Sequence, residues 1–211
     1  MTDPRVEEIL EDLYLAQVEG EPAGAQALPE VIASAARAGY LQTRDGAAAL
    51  TEPGRLIARD VVRRHRLAEC LLHDVLAVSD EQIDSDACQF EHVIRPGVEE
   101  RICALLGHPL RCPHGKHIPP GLCCLKARGE GARQVGPLCD GNVGDEGVVA
   151  YLRASDRQET QKLMAIGVLP GVAIRLVRRS PCYVFQVAYS QFTVDRDLAS
   201  KIFVRWRQAE K

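Results

Sequence analysis

Within residues 87–102, "ACQFEHVIRPGVEERI", a thiol, a carboxylate and an imidazole (Cys88, Glu91 and His92) fall at offsets of three and four. On an α-helix that spacing sets all three side chains on one face. Together they offer one ion a soft, a hard and a borderline ligand, a set suited to a divalent transition metal. Upstream, "HRLAE" places His65 and Glu69 four residues apart. Such a pair by itself is a helix-surface ion pair contributing about 0.2–0.5 kcal/mol and needs no metal. A third set lies in "CPHGKHIPPGLCC", where Cys112, Cys123 and Cys124 are accompanied by His114, His117 or the later Cys139 as a fourth ligand. Its spacing is neither that of a zinc finger nor that of a ferredoxin, which leaves zinc, an iron–sulfur cluster and reduced thiols open. Cys70, Cys103 and Cys182 stand in apolar contexts and read as core residues.

The elements that must position these groups follow from periodicity. Val6, Ile9, Leu10, Leu13 and Ala16 form the apolar stripe of an amphipathic helix, broken by "GEPAGAQ". A second helix follows in "LPEVIASAARAG", with Pro29 in its first turn and Gly39 as its stop. "RDG" between short apolar runs then marks a hairpin. Helix, helix, hairpin is the order of a winged helix. Residues 53–78 form one long helix, and two more follow over 85–94 and 96–107. Helices this few rarely bury themselves alone, so a two-fold partner is expected. The character changes after Gly107 to Pro, Gly, His and Cys. From Val143 onward, short β-type runs surround one helical segment, "RQETQKLMAIG", the pattern of a small β-barrel.

Bulk properties set outer bounds. A chain of 211 residues with 46% hydrophobic residues holds two or three small domains. Its net charge of −3 gives no global attraction to nucleic acid or to anionic membrane. The acidic opening "MTDPRVEEILEDL" and the lack of an apolar run near ~20 residues predict a cytoplasmic protein with no membrane partner. Eight cysteines in such a compartment are buried thiols or metal ligands rather than disulfides. No nucleophile elbow, phosphate loop or nucleotide fingerprint accompanies them, so no enzymatic activity is expected.

"HRLAECLLHDVL" followed by "DSDACQFEHVI", after a winged-helix-like start, resembles the diphtheria toxin repressor family of metal-dependent transcription regulators. "YLRASDRQETQKLMAIGVLPGVAIRLV" with "LASKIFV" is similar to the Src-homology-3-like domain of that family and of FeoA proteins. The resemblance spans nearly the whole chain and is weakest over residues 18–50. It implies a mainly α fold with a small β domain: a truncated winged helix over 1–56, a helical metal-binding and dimerisation domain over 57–108, a Cys/Pro/Gly-rich linker over 109–142 and a FeoA-like β-barrel over 143–211. It implies one metal site joining Glu8 and Glu11 of the first helix to Cys88, Glu91 and His92. A second site would comprise His65, Glu69 and Asp84, completed by Asp156 and Glu159 of the barrel. The Cys88 thiol favours Fe(II), while two carboxylates on the first helix are the manganese pattern, so Fe(II) leads and Mn(II) stays open.

Function divides into two readings. In the first, a homodimer binds double-stranded DNA when metal-loaded and represses metal-uptake genes, with Arg37, Arg44, Arg55 and Arg59 supplying the phosphate-binding stripe. In the second, the protein is a metal sensor or iron-handling accessory that acts through protein contacts. The family resemblance favours the first, and two observations count for the second. Only one helix fits between Gly20 and Gly39, and residues 1–50 set three arginines against nine carboxylates, a net of −6.

Overall fold

The computed structural model describes residues 2–22, 28–44, 47–129, 135–153 and 157–207. Helix α1 (Pro4–Tyr14) starts at Asp3, whose carboxylate accepts from the Arg5 backbone N–H, and runs on through one wider turn to Glu19. Helix α2 (Pro29–Arg37) leads into strands β1 (Leu41–Arg44) and β2 (Ala47–Leu50), an antiparallel hairpin at the expected place. Val6, Leu10, Val31, Ala35, Leu41, Leu50 and Ala58 close a small core between them.

Helix α3 (Glu52–Cys70) is the spine, and one wider turn carries it to Val75. Thr51 caps it, its hydroxyl accepting from Gly54 N–H and donating to Gly39 C=O. Gly54 has no substitute here, since a Cβ would stand 2.0 Å from the Tyr40 carbonyl oxygen. Helices α4 (Asp80–Glu91) and α5 (Pro96–Leu105) pack against α3.

The stretch expected as linker is built in. It contains an Arg111–His117 bridge, helix α6 (Leu122–Gly129) and strand β3 (Val135–Pro137). The physical reason is apolar: Cys112, Ile118, Cys124 and Val135 are buried in the core of α3, α4 and α5. β3 then edges a six-stranded antiparallel sheet with β4 (Glu146–Leu152), β5 (Ala173–Arg178), β6 (Tyr183–Val187), β7 (Ser190–Val194) and β8 (Ile202–Trp206). Helix α7 (Arg157–Ala165) is the expected interruption, and a short α8 (Arg196–Lys201) precedes the last strand. Tyr151 and Phe203 stack at 4.4 Å and belong to the helical core, which seats the sheet on α3; Arg153 adds a hydrogen bond to Asp74. The chain thus combines helical units with a small antiparallel sheet domain. Among the described residues no helix is long and apolar enough to cross a membrane.

Candidate metal centre

α4 presents Asp84, Cys88, Glu91 and His92 in successive turns toward α1 and α3. Three ligand atoms, from Glu8, Cys88 and His92, gather within 4.8 Å of one another. Glu11 joins His65 and Glu91 instead of Glu8, so the structure splits the expected first set into two adjacent groups. Glu91 connects them: its Oε2 lies 2.7 Å from His65 Nδ1 and its Oε1 lies 3.4 Å from His92 Nε2. His65 in turn gathers with Glu69 and Asp84, as expected for the second set.

Glu159 of the sheet domain is not brought to that second set. Glu159 is held by Lys201 within its own domain, and Asp156 lies outside the described residues. The loop before α6 supplies ligands in their place: Cys112 and His114 gather on Glu69, with His114 Nδ1 2.5 Å from Glu69 Oε1. The result is a continuous run of possible ligands from α1 to the 111–117 loop, along a cavity of about 450 Å³ lined by Glu11, His65, Glu69, Asp84, Cys88 and His114.

Electrostatics show what these residues lack. Glu91 Oε1, His92 Nε2 and Glu69 Oε2 are buried without a hydrogen-bond partner, and such orphans cost about 1–3 kcal/mol each. Burial first, then the charge of Glu91, pushes the Glu11 carboxyl up to about 8. Burial alone would lower His65, yet bonds to Glu69 and Glu91 and the charges around it raise it to about 10. An imidazolium therefore stands as a counter-ion among Glu11, Glu91 and Glu69. Burial, then Glu91, Glu8 and Glu11, raises the Cys88 thiol to about 11. A divalent cation would satisfy the orphan atoms and favour the thiolate, so the donor set fits a metal.

Several supporting residues escaped the sequence reading. Glu7 accepts from His92 Nδ1 at 2.9 Å, which turns Nε2 to the site, and is itself held by Arg64 at 3.1 Å. Arg64 also donates to the Glu91 carbonyl. Arg66 binds Glu19 and the His117 carbonyl, and Arg63 reaches Glu99 and Pro119. The run "RRHR" could have signalled this, because adjacent cations on a helix buried on several sides must find internal partners. Of the other expected residues, Cys139 sits in the sheet core, and the His117 backbone bridges to Arg111 and accepts from Arg66. Arg37 and Arg55 are exposed, Arg59 pairs with Asp60, and the Arg44 side chain lies outside the described part. Cys103, expected as a plain core residue, is buried but gathers with His108, Cys123 and Cys124.

Comparison with known proteins falls on these same regions. Residues 51–120 match the family model described as "Iron dependent repressor, metal binding and dimerisation domain", and residues 136–205 match the FeoA domain. The chain is 46% identical over 70 residues to the iron-dependent repressor IdeR of Mycobacterium tuberculosis, covering 33% of this chain and 30% of that protein. It is 40% identical over 70 residues to the diphtheria toxin repressor of Corynebacterium diphtheriae, covering 33% and 31%. The match thus spans about a third of the length of these curated relatives. The solved structure of the manganese regulator SloR shares the fold, with TM-score 0.50 and 20% identity over 98% of this chain and 100% of that one. The chain therefore joins a segment of the iron dependent repressor metal-binding and dimerisation type to a FeoA segment, and its likeness to the diphtheria toxin repressor extends over 70 residues.

Proposed function

We propose that this chain is a metal-activated, dimeric, DNA-binding regulator that represses metal-uptake genes in the cytoplasm, with Fe(II) as its preferred ion and Mn(II) as the alternative. The observation that carries this reading is the pair of buried, unpartnered atoms Glu91 Oε1 and His92 Nε2, 3.4 Å apart, with His92 Nε2 facing Glu8 across the gap between α4 and α1. Glu8, Cys88, Glu91 and His92 would hold the ion. An ion there ties the head to the dimerisation helices, and metal that binds the tied form better stabilises it by the difference in affinity. His65, Glu69 and Asp84, with Glu11 beside them, would hold a second ion, completed by His114 and Cys112. Glu159 is left to Lys201.

In this reading residues 1–56 are a shortened winged helix and the sheet is a Src-homology-3-like barrel. Exposed Phe90, Val93 and Val98, with Leu122 and Leu125 of α6, supply apolar surface for a second copy. The acidity of the head also counts less than its net charge suggests. Glu7, Glu11, Glu19 and Glu21 turn to Arg64, His65, Arg66 and Lys116. Exposed Arg37 and Arg55 face fewer repelling carboxylates as a result.

One observation favours the second reading, a metal sensor working through protein contacts. Among the described residues no helix lies between Glu19 and α2, and Glu30 stands in the first turn of α2. Anaerobic titration with Fe(II) and Mn(II), followed by anisotropy of labelled duplex DNA, decides between them. Metal-dependent, sequence-selective binding that Glu91→Ala abolishes supports the repressor. Stoichiometric metal uptake without DNA binding sinks it and leaves the sensor.

A further inference from the structure

At the far end of α5 and the first turn of α6, three thiols and an imidazole converge. Cys103 Sγ lies 3.3 Å from His108 Nδ1 and 3.6 Å from Cys124 Sγ, and Cys123 Sγ lies 3.9 Å from Cys124 Sγ. All four ligand atoms stand within 4.8 Å of one another. A tetrahedral zinc ion, with sulfur at about 2.3 Å and nitrogen at about 2.0–2.1 Å, separates its ligands by roughly 3.8 Å for sulfur pairs and 3.5 Å for sulfur and nitrogen. The observed spacings are those of one such ion. A cluster of several irons would hold its thiolates farther apart.

The backbone is shaped to make this approach. Gly107 and His108 both take left-handed conformations, with φ of 78° and 55°. His108 N–H donates to the Cys103 carbonyl at 2.8 Å, folding the imidazole back over the thiol five residues earlier. A left-handed non-glycine residue is uncommon, and here it has an evident use. On the other side the buried Arg63 guanidinium donates to Cys123 Sγ at 3.3 Å, as well as to Glu99 and Pro119. Zinc with three thiolates and a neutral imidazole carries one negative charge, which a cation on Cys123 suits. Gly121 makes room for it: a Cβ there would stand 2.9 Å from Arg63 Nε.

We propose that Cys103, His108, Cys123 and Cys124 form a closed, structural zinc site, separate from the metal-sensing centre. All four positions are filled by protein, leaving none for a substrate. The site ties α5 to α6 and so closes the loop of residues 109–121, which carries Cys112 and His114 to Glu69. Zinc here would hold ligands of the second sensing site in place without being sensed itself.

The test uses the full-length protein, with its metals counted and then exchanged for Co(II). Tetrahedral cobalt bound to thiolates gives intense visible bands and a sulfur-to-metal charge-transfer band, which carboxylate-rich sites do not. The expected result is one equivalent of zinc as isolated and one thiolate-rich cobalt site, retained in Cys88→Ser/Cys112→Ser and lost in Cys123→Ser/Cys124→Ser. Should that last variant fail to fold, His108→Ala keeps all three thiols and is expected to shift the cobalt bands and weaken zinc at least tenfold. Bands that vanish with Cys88 and Cys112 but survive loss of Cys123 and Cys124 would overturn the assignment. So would a protein that takes up no thiolate-bound zinc or cobalt, or a brown iron–sulfur chromophore that depends on Cys123.

Discussion

Two ligand-rich regions lie on either side of α3, and they solve opposite problems. The centre between α1 and α4 is dominated by carboxylates and imidazoles, carries buried orphan atoms, and leans on a protonated His65 to hold its charges apart. The centre between α5 and α6 is dominated by thiols at tetrahedral spacing, and its four side chains contact one another, with Arg63 on Cys123. The first is under-satisfied without an ion, which on the proposed function is what lets an ion shift its conformation. The second is closed, so its ion becomes part of the fold. The contrast teaches that ligand count alone does not distinguish a sensor from a staple; unsatisfied polarity does.

The sharpest way to break this contrast is to remove a group that only one region needs. Glu91→Ala deletes a fully buried carboxylate that touches both His65 and His92. Fe(II) or Mn(II) affinity, measured by calorimetry, is expected to fall by about 100-fold or more, beyond the usual effect of an outer partner. Zinc content at the thiol site should stay unchanged. If zinc falls as well, the two regions are one system. Glu7→Gln asks a finer question, because Glu7 only orients His92 and neutralises Arg64. A loss of roughly 10-fold in metal affinity is expected, with the full stoichiometry retained. Unchanged affinity would mean that the His92 ring is fixed by packing alone.

Gly121→Ala probes the other side. The added methyl meets Arg63 Nε and Nη2 within 3.0 Å, and Arg63 cannot retreat freely while it binds Glu99, Pro119 and Cys123. Overpacking of this kind costs about 1–3 kcal/mol, which for a chain of this size lowers Tm by about 2–4 °C per kcal/mol. Stability close to that of the wild type in a thermal melt would show that Arg63 is not tightly seated.

Much of this was legible in the sequence, for identifiable reasons. The helical periods around α1, α3 and α4, the Asp-Gly hairpin and the β-type runs of the sheet domain carry local signals, and each appears near its expected place. The i, i+3, i+4 spacing of Cys88, Glu91 and His92 is likewise a local fact about one helix. What escaped depends on contacts distant in sequence. Cys103 and Cys124 are 21 residues apart, and His108 joins them through two left-handed residues that end α5. His114 reaches Glu69 across 45 residues through a loop whose burial depends on Cys112 and Ile118 packing under it. Glu7 and His92 are 85 residues apart. No period announces such pairs, and a Pro- and Gly-rich composition conceals that the segment is packed rather than free.

The smallest expected effect tests the expectation that Glu159 of the sheet domain completes the second site. Glu159 is bound by Lys201, which Asp197 also holds at 2.7 Å, so its carboxylate already has a cation. This pair is partly exposed, and pairs of its kind contribute about 0–1 kcal/mol. Glu159→Gln is therefore expected to leave metal stoichiometry and affinity unchanged and to shift stability little, whereas His114→Ala should weaken the second ion while sparing the first. A large loss of affinity in Glu159→Gln, with none in His114→Ala, would reverse the assignment. The sheet domain would then have to swing α7 onto the helical core when metal binds, and the 111–117 loop would be only its neighbour.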